Sequence, residues 1–404
     1  MVWSPMKSNR RILIVLAFAS FCLGTSVVLG QVAANDKLAI VHGPYLQEPT
    51  ENSITVVWVT SRECVSMVEY ATGDNLRLFP QWGSVPLVAA SSRDGLIDAN
   101  VRLHKIRIEG LKPGKTYRYR VISKEIVQFK PYEVIYGDSI ASGIYQFKTL
   151  DAKKSKFSFY VFQDIHEDAN ALDSMLRTIS WDGVDLVFFN GDMIHYFQDQ
   201  QQLFSAFLDV SVNRFAKEIP FIYIRGNHET RGLLARNLID YFPTAGGRFY
   251  YSFNHGPIHF IVLDTGEDKA DSNPVYAGLA DFDRYRRQQA QWLKQDLQGP
   301  SFKQAKFRIV LMHMPPWKDT TEDRPGWSHA IESFGPLLNK ADIDLVLCGH
   351  THQFTHIKPN EHENSYPVII GAPQTPIRVD VTKEQLKVTT TNKDGQVVDT
   401  FCIP

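Results

Sequence analysis

Six apolar runs of strand length punctuate residues 157–348: FSFYVF, VDLVFFN, PFIYIR, IHFIVLD, FRIVLM and IDLVLC. Stretches of helical period lie between several of them, at 168–179, 197–216, 282–298 and 329–339. Strands that alternate with helices fold as a layered α/β domain. The segment YYSFNHGPIHFIVLD reads as a hairpin inside it.

Residues 37–150 keep a different rhythm. SITVVWV alternates, with Ile54, Val56 and Trp58 on one face, and SMVEYAT, VRLHKIRIEGL and KTYRYRVIS follow between turn signals such as RDG and KPGK. Many short strands without helical period predict a β-sandwich. The charged, apolar-poor DAKKSK at 151–156 is the candidate linker. With 404 residues, 44% of them hydrophobic, the chain has material for two cores. The expected class is α/β (α+β overall): an N-terminal β-sandwich over 37–150, then an α/β domain over 155–404. The formal net charge of -1 offers no basic face, so no nucleic acid partner is expected.

The first 34 residues stand apart. Lys7, Arg10 and Arg11 precede the apolar ILIVLAFASFCL, and small residues return in GTSVVLGQVAA. That order is a secretory signal peptide, with cleavage near Ala34. The expected location is secreted or periplasmic, without stable membrane insertion after cleavage. The alternative is an uncleaved anchor, since 12–29 is almost long enough to span a bilayer. Of the four cysteines, Cys22 leaves with the signal; Cys64, Cys348 and Cys402 allow at most one bridge.

Ligands of α/β sheets bind beyond the carboxyl ends of the strands. Here those ends carry Gln163-Asp164-Ile165-His166, Gly191-Asp192, Gly226-Asn227-His228-Glu229, His313 and Gly349-His350-Thr351-His352. In Asp-x-His and His-x-His, two side chains leave an extended backbone on one side, so each pair can grip one ion. Imidazole with carboxylate and amide oxygen suits Mn, Fe, Co or Zn, and the lack of thiolate argues against a structural zinc knot. Seven donors are too many for one tetrahedral site. They fit two ions sharing a bridge, for which Asp192 is the natural group. Read alone, Asn227 would equally serve as a helix N-cap.

In order and strand context, these five groups resemble the complete motif series of the calcineurin-like metallophosphoesterases. GPYLQEPTENSITVVW with LKPGKTYRYRV resembles the N-terminal domain of purple acid phosphatases, a fibronectin type III-like pattern with Tyr117 as a core or corner tyrosine. The resemblance implies an α/β/β/α layered catalytic domain and a secreted, two-metal phosphoesterase using Fe, Mn or Zn. It implies that Asp164, His166 and His352 hold one metal, that Asn227, His313 and His350 hold the other, and that Asp192 bridges. It implies that a metal-bound hydroxide attacks phosphorus while His228 assists the leaving oxygen and Glu229 orients its neighbours. Arg225 and Arg231 flank the motif as candidate phosphate contacts.

Two departures qualify the likeness. Purple acid phosphatases have Asp-x-Gly where this chain has Asp164-Ile165-His166. They also place a metal-binding tyrosine where this chain has His195, so no iron–tyrosinate colour is expected. His195 is either a ligand, a donor behind a ligand or a substrate contact. His356 stands where purple enzymes often carry an arginine, so it is a candidate phosphate contact. Monoester hydrolysis is the leading expectation. Phosphodiesterase activity is the alternative, and a catalytically silent polysaccharide- or protein-binding chain the third reading. The remaining histidines, His42, His104, His255, His259, His329 and His362, read as structural. Trp317 and Trp327 either wall the pocket or pack their loop. Oligomeric state is not legible.

Overall fold

The computed structural model describes residues 37–72, 87–317, 323–362 and 364–404. The expected signal segment and Cys22 lie outside them. Among the described residues, no helix is long and apolar enough to cross a membrane.

Two six-stranded sheets form the centre of the C-terminal part. In the first, Phe157–Phe162, Val184–Asn190 and Phe221–Ile224 run parallel. Ile377–Val381, Leu386–Thr391 and Val397–Ile403 extend it antiparallel. In the second, the expected hairpin, Tyr251–His255 with Ile258–Leu263, leads into parallel Phe307–Met312, Leu345–Cys348 and Val368–Ile370, and Thr355–Ile357 closes the edge.

Every residue of Phe157–Phe162 is buried, because alternate side chains enter two different cores. Phe159 and Val161 face the space between the sheets, with Phe188, Phe260 and Ile309. Tyr160 and Phe162 face outward, with Phe189 and Tyr223. The second sheet repeats this. Ile309 and Leu311 point inward. Val310 and Met312 meet Leu293, Phe334 and Leu338 from helices Phe282–Asp296 and Pro325–Asn339. The layers are therefore helix, sheet, sheet, helix. Helix starts follow local chemistry: the Asp168 and Asp199 side chains accept the backbone N–H groups of Ala171 and Gln202, capping the helices that follow.

The N-terminal part is organised by one 19-residue strand, Ile54–Thr72. Its first half pairs with Ile40–Gln47 and Val101–Ile108, its second with Thr116–Lys130 and Leu87–Ala89. The register breaks between Val59 and Cys64, where a bulge bends the strand. The result is a single bent seven-stranded network closed around Ile54, Val56, Trp58, Tyr119 and Phe147. Tyr117 is buried, and its hydroxyl accepts the N–H of Lys112 at 2.9 Å, pinning a corner. The opposite face of the long strand is not solvated either. Val57 and Val59 join Tyr45 in the outer core of the first C-terminal sheet, beside Phe204 and Phe221. Polar contacts lock this seam: Tyr45 Oη donates to Tyr241 O at 2.9 Å, and Gln47 Nε2 to Phe221 O at 3.0 Å.

Candidate metal centre

The seven candidate ligands all come from strand ends on one side of the two sheets, on Asp164–His166, Asp192, Asn227, His313 and His350–His352. Their backbone is not the extended one that the Asp-x-His and His-x-His spacing suggests. Asp164, His166, Asp192, His350 and His352 lie at φ 54, 47, 53, 76 and 57, all left-handed. For Asp164, His166 and Asp192, two loops impose this by zipping together: Asp164, His166 and Glu167 N–H groups donate to the carbonyls of Gly191, Asp192 and Met193, each at 3.0 Å. Ladder bonds between the loops replace strand geometry, and each chain turns immediately after its sheet. The neighbouring glycines are needed for close approach. A Cβ on Gly226 would lie 2.2 Å from Asp192 Oδ1, and one on Gly349 2.5 Å from Asp164 Oδ2.

The donors converge in overlapping groups. Asp164, His166, Asp192 and His352 offer ligand atoms within 4.8 Å of one another, and so do Asp192, His313 and His350. Asp192 belongs to both. In the first group His352 Nε2 lies 3.0 Å from His166 Nε2 and 3.4 Å from Asp164 Oδ1. In the second His313 Nε2 lies 3.0 Å from Asp192 Oδ2, and Asn227 Oδ1 lies 3.0 Å from His350 Nδ1. His313 Nδ1–H donates to Asn190 O at 2.8 Å, which leaves the Nε2 lone pair directed at the site. That buried Nε2 makes no well-angled hydrogen bond, although Asp192 Oδ2 lies 3.0 Å away. A buried imidazole nitrogen poorly aligned with the shared carboxylate it faces fits a cation between them better than it fits a packed core.

The electrostatics agree. Burial raises Asp192, but His313 and His228 outweigh it and hold the carboxyl well below the usual range. Burial lowers His313, yet Asp192 and Asp164 push it up to about 10. A field that binds a proton this firmly favours a cation in its place. Burial drives His166 down to about 4 and His350 to about 3, so both present neutral imidazole.

His228 sits at the edge of this set. Its Nδ1–H donates to His195 O at 2.9 Å, and its Nε2 faces Asp192 Oδ2 at 3.9 Å. Burial lowers its pKa. Glu229 is fully buried, and four donors reach it: the N–H groups of Asp192, Met193 and Gly226 and the hydroxyl of Tyr223. It therefore braces the Asp192 loop. Burial, followed by the charge of Asp192, pushes it up to about 7.

The flanking candidates divide. His195 stacks on His166, with ring centroids 4.9 Å apart and Nδ1 atoms 3.2 Å apart. His166, His195 and His228 form a third convergent group. The Arg231 guanidinium lies 3.4 Å from both ring nitrogens of His228 while pairing with Glu267 at 2.7 Å. Arg225 and His356 do not join these groups. Arg225 pairs with Asp264 at 2.6 Å over the Phe249 ring, and His356 bonds Asp399 at 2.7 Å against Phe401. Trp327 packs edge-on against His350, whereas Trp317 stacks on His362. Tyr223 and Asn190 are supporting residues that the sequence reading missed; Asn190 acts through its carbonyl, which no side-chain motif reveals.

Comparison with known proteins accords with this geometry. Residues 157–354 match the calcineurin-like phosphoesterase family, and residues 43–149 match the purple acid phosphatase N-terminal domain. The chain is 23% identical over 338 residues to "Probable purple acid phosphatase 20" of Arabidopsis thaliana, covering 79% of this chain and 70% of that one. It is 24% identical over 374 residues to "Acid phosphatase type 7" of Homo sapiens, covering 88% and 78%. Its fold is similar to that of a purple acid phosphatase from yellow lupin (Lupinus luteus) seeds, with TM-score 0.65, 16% identity, and 89% of this chain and 73% of that one covered.

Proposed function

Because the chain belongs to the calcineurin-like phosphoesterases and carries a purple acid phosphatase N-terminal domain, we propose that it hydrolyses phosphate monoesters at the centre built on Asp192. The observation that carries the reading is the sharing of Asp192 between two donor groups, with His228 Nε2 facing the same carboxylate.

The family uses a binuclear metal centre. Two bound cations would neutralise phosphate oxygens and acidify a water. Asp164, His166 and His352 would hold one, Asn227, His313 and His350 the other, and Asp192 both. The donor type would suit Mn, Fe, Co or Zn, and the family likeness favours Fe, Mn or Zn. His195 O fixes Nδ1–H and keeps Nε2 toward the site, so the imidazolium form of His228 can hand its Nε2 proton to the departing alcohol oxygen. Arg231 lies beside His228 but is paired with Glu267, so the charge of a monoester dianion would fall mainly to the two cations. The basic, apolar and small-residue order of residues 7–34 supports export of the mature chain.

The test is reconstitution of residues 35–404 with Mn, Fe or Zn, followed by kcat/KM for p-nitrophenyl phosphate and bis-p-nitrophenyl phosphate. Monoester preference, lost in His228→Ala by roughly 10²–10⁴-fold, is the expected result. Diester preference would replace the monoester reading. No turnover of either ester above the His228→Ala background would overturn the hydrolase reading.

A further inference from the structure

A cavity of about 600 Å³ lies beyond Arg231 from His228, walled by Thr230, Arg231, Val275, Tyr276, Leu279 and Phe282. Two wall residues tie it to the metal centre. Thr230 Oγ1 donates to Asn227 O at 2.7 Å, and the Arg231 guanidinium lies 3.4 Å from the His228 ring nitrogens. The facing wall is the long connection between strand Ile258–Leu263 and helix Phe282–Asp296. It carries the short helical turn Pro274–Tyr276, whose start is capped by Asn273.

Three of the four cations at this wall are already paired, and the fourth, Arg236, is exposed to solvent. Arg225 pairs with buried Asp264 at 2.6 Å, Arg231 with buried Glu267 at 2.7 Å, and Lys269 with buried Asp268 at 2.8 Å. These cations are poor competitors for a phosphate that the Asp192 centre can take. The apolar groups have no such cover. Val275 is 70% and Leu279 72% exposed at the mouth of the cavity. An organic group lying on them would remove apolar surface from water.

We propose that this cavity is the subsite of the leaving alcohol, and that it selects phosphate esters of aryl or other bulky apolar alcohols. The inference rests on the hydrolase reading given above. It follows from the side on which the cavity lies. The bond from phosphorus to the alcohol oxygen breaks, water supplies the new oxygen, and the alcohol departs with the Nε2 proton of the His228 imidazolium, which the attacking water's released proton restores. A group reaching past His228 into the cavity is therefore the alcohol that leaves. The retained substituent of a diester would lie elsewhere.

The experiment uses the metal-loaded chain and measures kcat/KM for 1-naphthyl phosphate and for ethanolamine phosphate, in the parent protein, Leu279→Asp and Val275→Asp. Comparing each ester with itself across variants cancels the intrinsic difference in leaving-group quality. Each substitution is expected to lower naphthyl phosphate kcat/KM about tenfold and to leave ethanolamine phosphate essentially unchanged. Equal losses for both esters, or no loss for either, would overturn the proposal. A second readout is saturation-transfer NMR of 1-naphthol on the same proteins. Transfer should be present in the parent and lost in Leu279→Asp; its absence in the parent also overturns the subsite. If the parent turns over neither ester, the hydrolase reading fails, while naphthol transfer still judges the cavity.

Discussion

His195 holds His228 by its backbone and His166 by its ring. Its carbonyl accepts the Nδ1–H of His228 at 2.9 Å, while its own Nδ1 lies 3.2 Å from Nδ1 of His166. One residue thus orients both the proposed proton donor and a candidate ligand, by separable means.

That separation makes a prediction. His195→Ala keeps the carbonyl, so the tautomer and aim of His228 should survive, whereas the His166 ring loses its stacked neighbour. Metal affinity should fall by about tenfold, the low end of what orienting partners contribute. With saturating metal, the dependence of rate on leaving-group pKa should not change. A chelator-competition titration and a series of substituted phenyl phosphates measure the two effects. A changed leaving-group dependence at full occupancy would mean that the imidazole itself works on substrate.

Sharing of Asp192 predicts unequal metal losses. Asp192→Ala should release both ions, because each donor group loses its common carboxylate. His352→Ala should release one and leave Asn227, His313 and His350 able to hold the other. Elemental analysis after dialysis, expressed as ions per chain, reads this directly. Retention of two ions by Asp192→Ala would remove the bridge assignment.

The brace behind the centre should show in stability. Glu229→Gln places an amide NH₂ among four donors, so at least one buried N–H or hydroxyl loses its acceptor, costing about 1–3 kcal/mol. Gly226→Ala forces a methyl to within 2.2 Å of Asp192 Oδ1 and 2.5 Å of Asp192 N, so the loop must shift. Both variants should have lower urea midpoints than the parent. Gly226→Ala should also bind metal less tightly.

Acid sensitivity is built into the N-terminal part. His104 is buried against Trp58 and bonded to Thr60 at 2.9 Å, and burial lowers its pKa from 6.5 to about 4. Below pH 6.5 the unfolded chain takes up this proton and the folded chain does not. The stability this group contributes is therefore present above pH 6.5 and is lost between pH 6.5 and 4, by about 3 kcal/mol in total. Urea unfolding at pH 7, 5.5 and 4 should show a shallower pH slope for His104→Phe than for the parent. Parallel slopes would rule out the histidine as the sensitive group.

Much of this architecture can be read from composition along the chain. Runs such as FSFYVF and FRIVLM are apolar on both faces, and the structure buries both faces between two cores. The histidines outside the motifs behave as their contexts suggest: His259 is buried between Asn254 and Asp296, and His42 stacks on Phe204 beside Asp209. What could not be read is set by contacts between distant segments. The left-handed backbone of Asp164 and His166 depends on hydrogen bonds to Gly191 and Asp192. Arg225 adjoins the Asn227-His228 motif, yet Asp264, a strand away, decides where its charge goes. Val57 and Val59 alternate with the core residues of their strand and would pass for a solvated face, but another part of the chain covers them.

This last arrangement has a consequence for biosynthesis. The N-terminal strands leave the ribosome first, and domains generally fold in that order. Tyr45, Val57 and Val59 then form an apolar face whose cover, from Phe204 to Phe242, has not yet been made. Nascent chains stalled before residue 200 should bind a hydrophobic-surface dye or a holdase through that face, and chains extended past residue 250 should release it. The strand that closes one core is in effect the nucleation template for the next, so truncations within the catalytic part should yield aggregates rather than a free N-terminal domain.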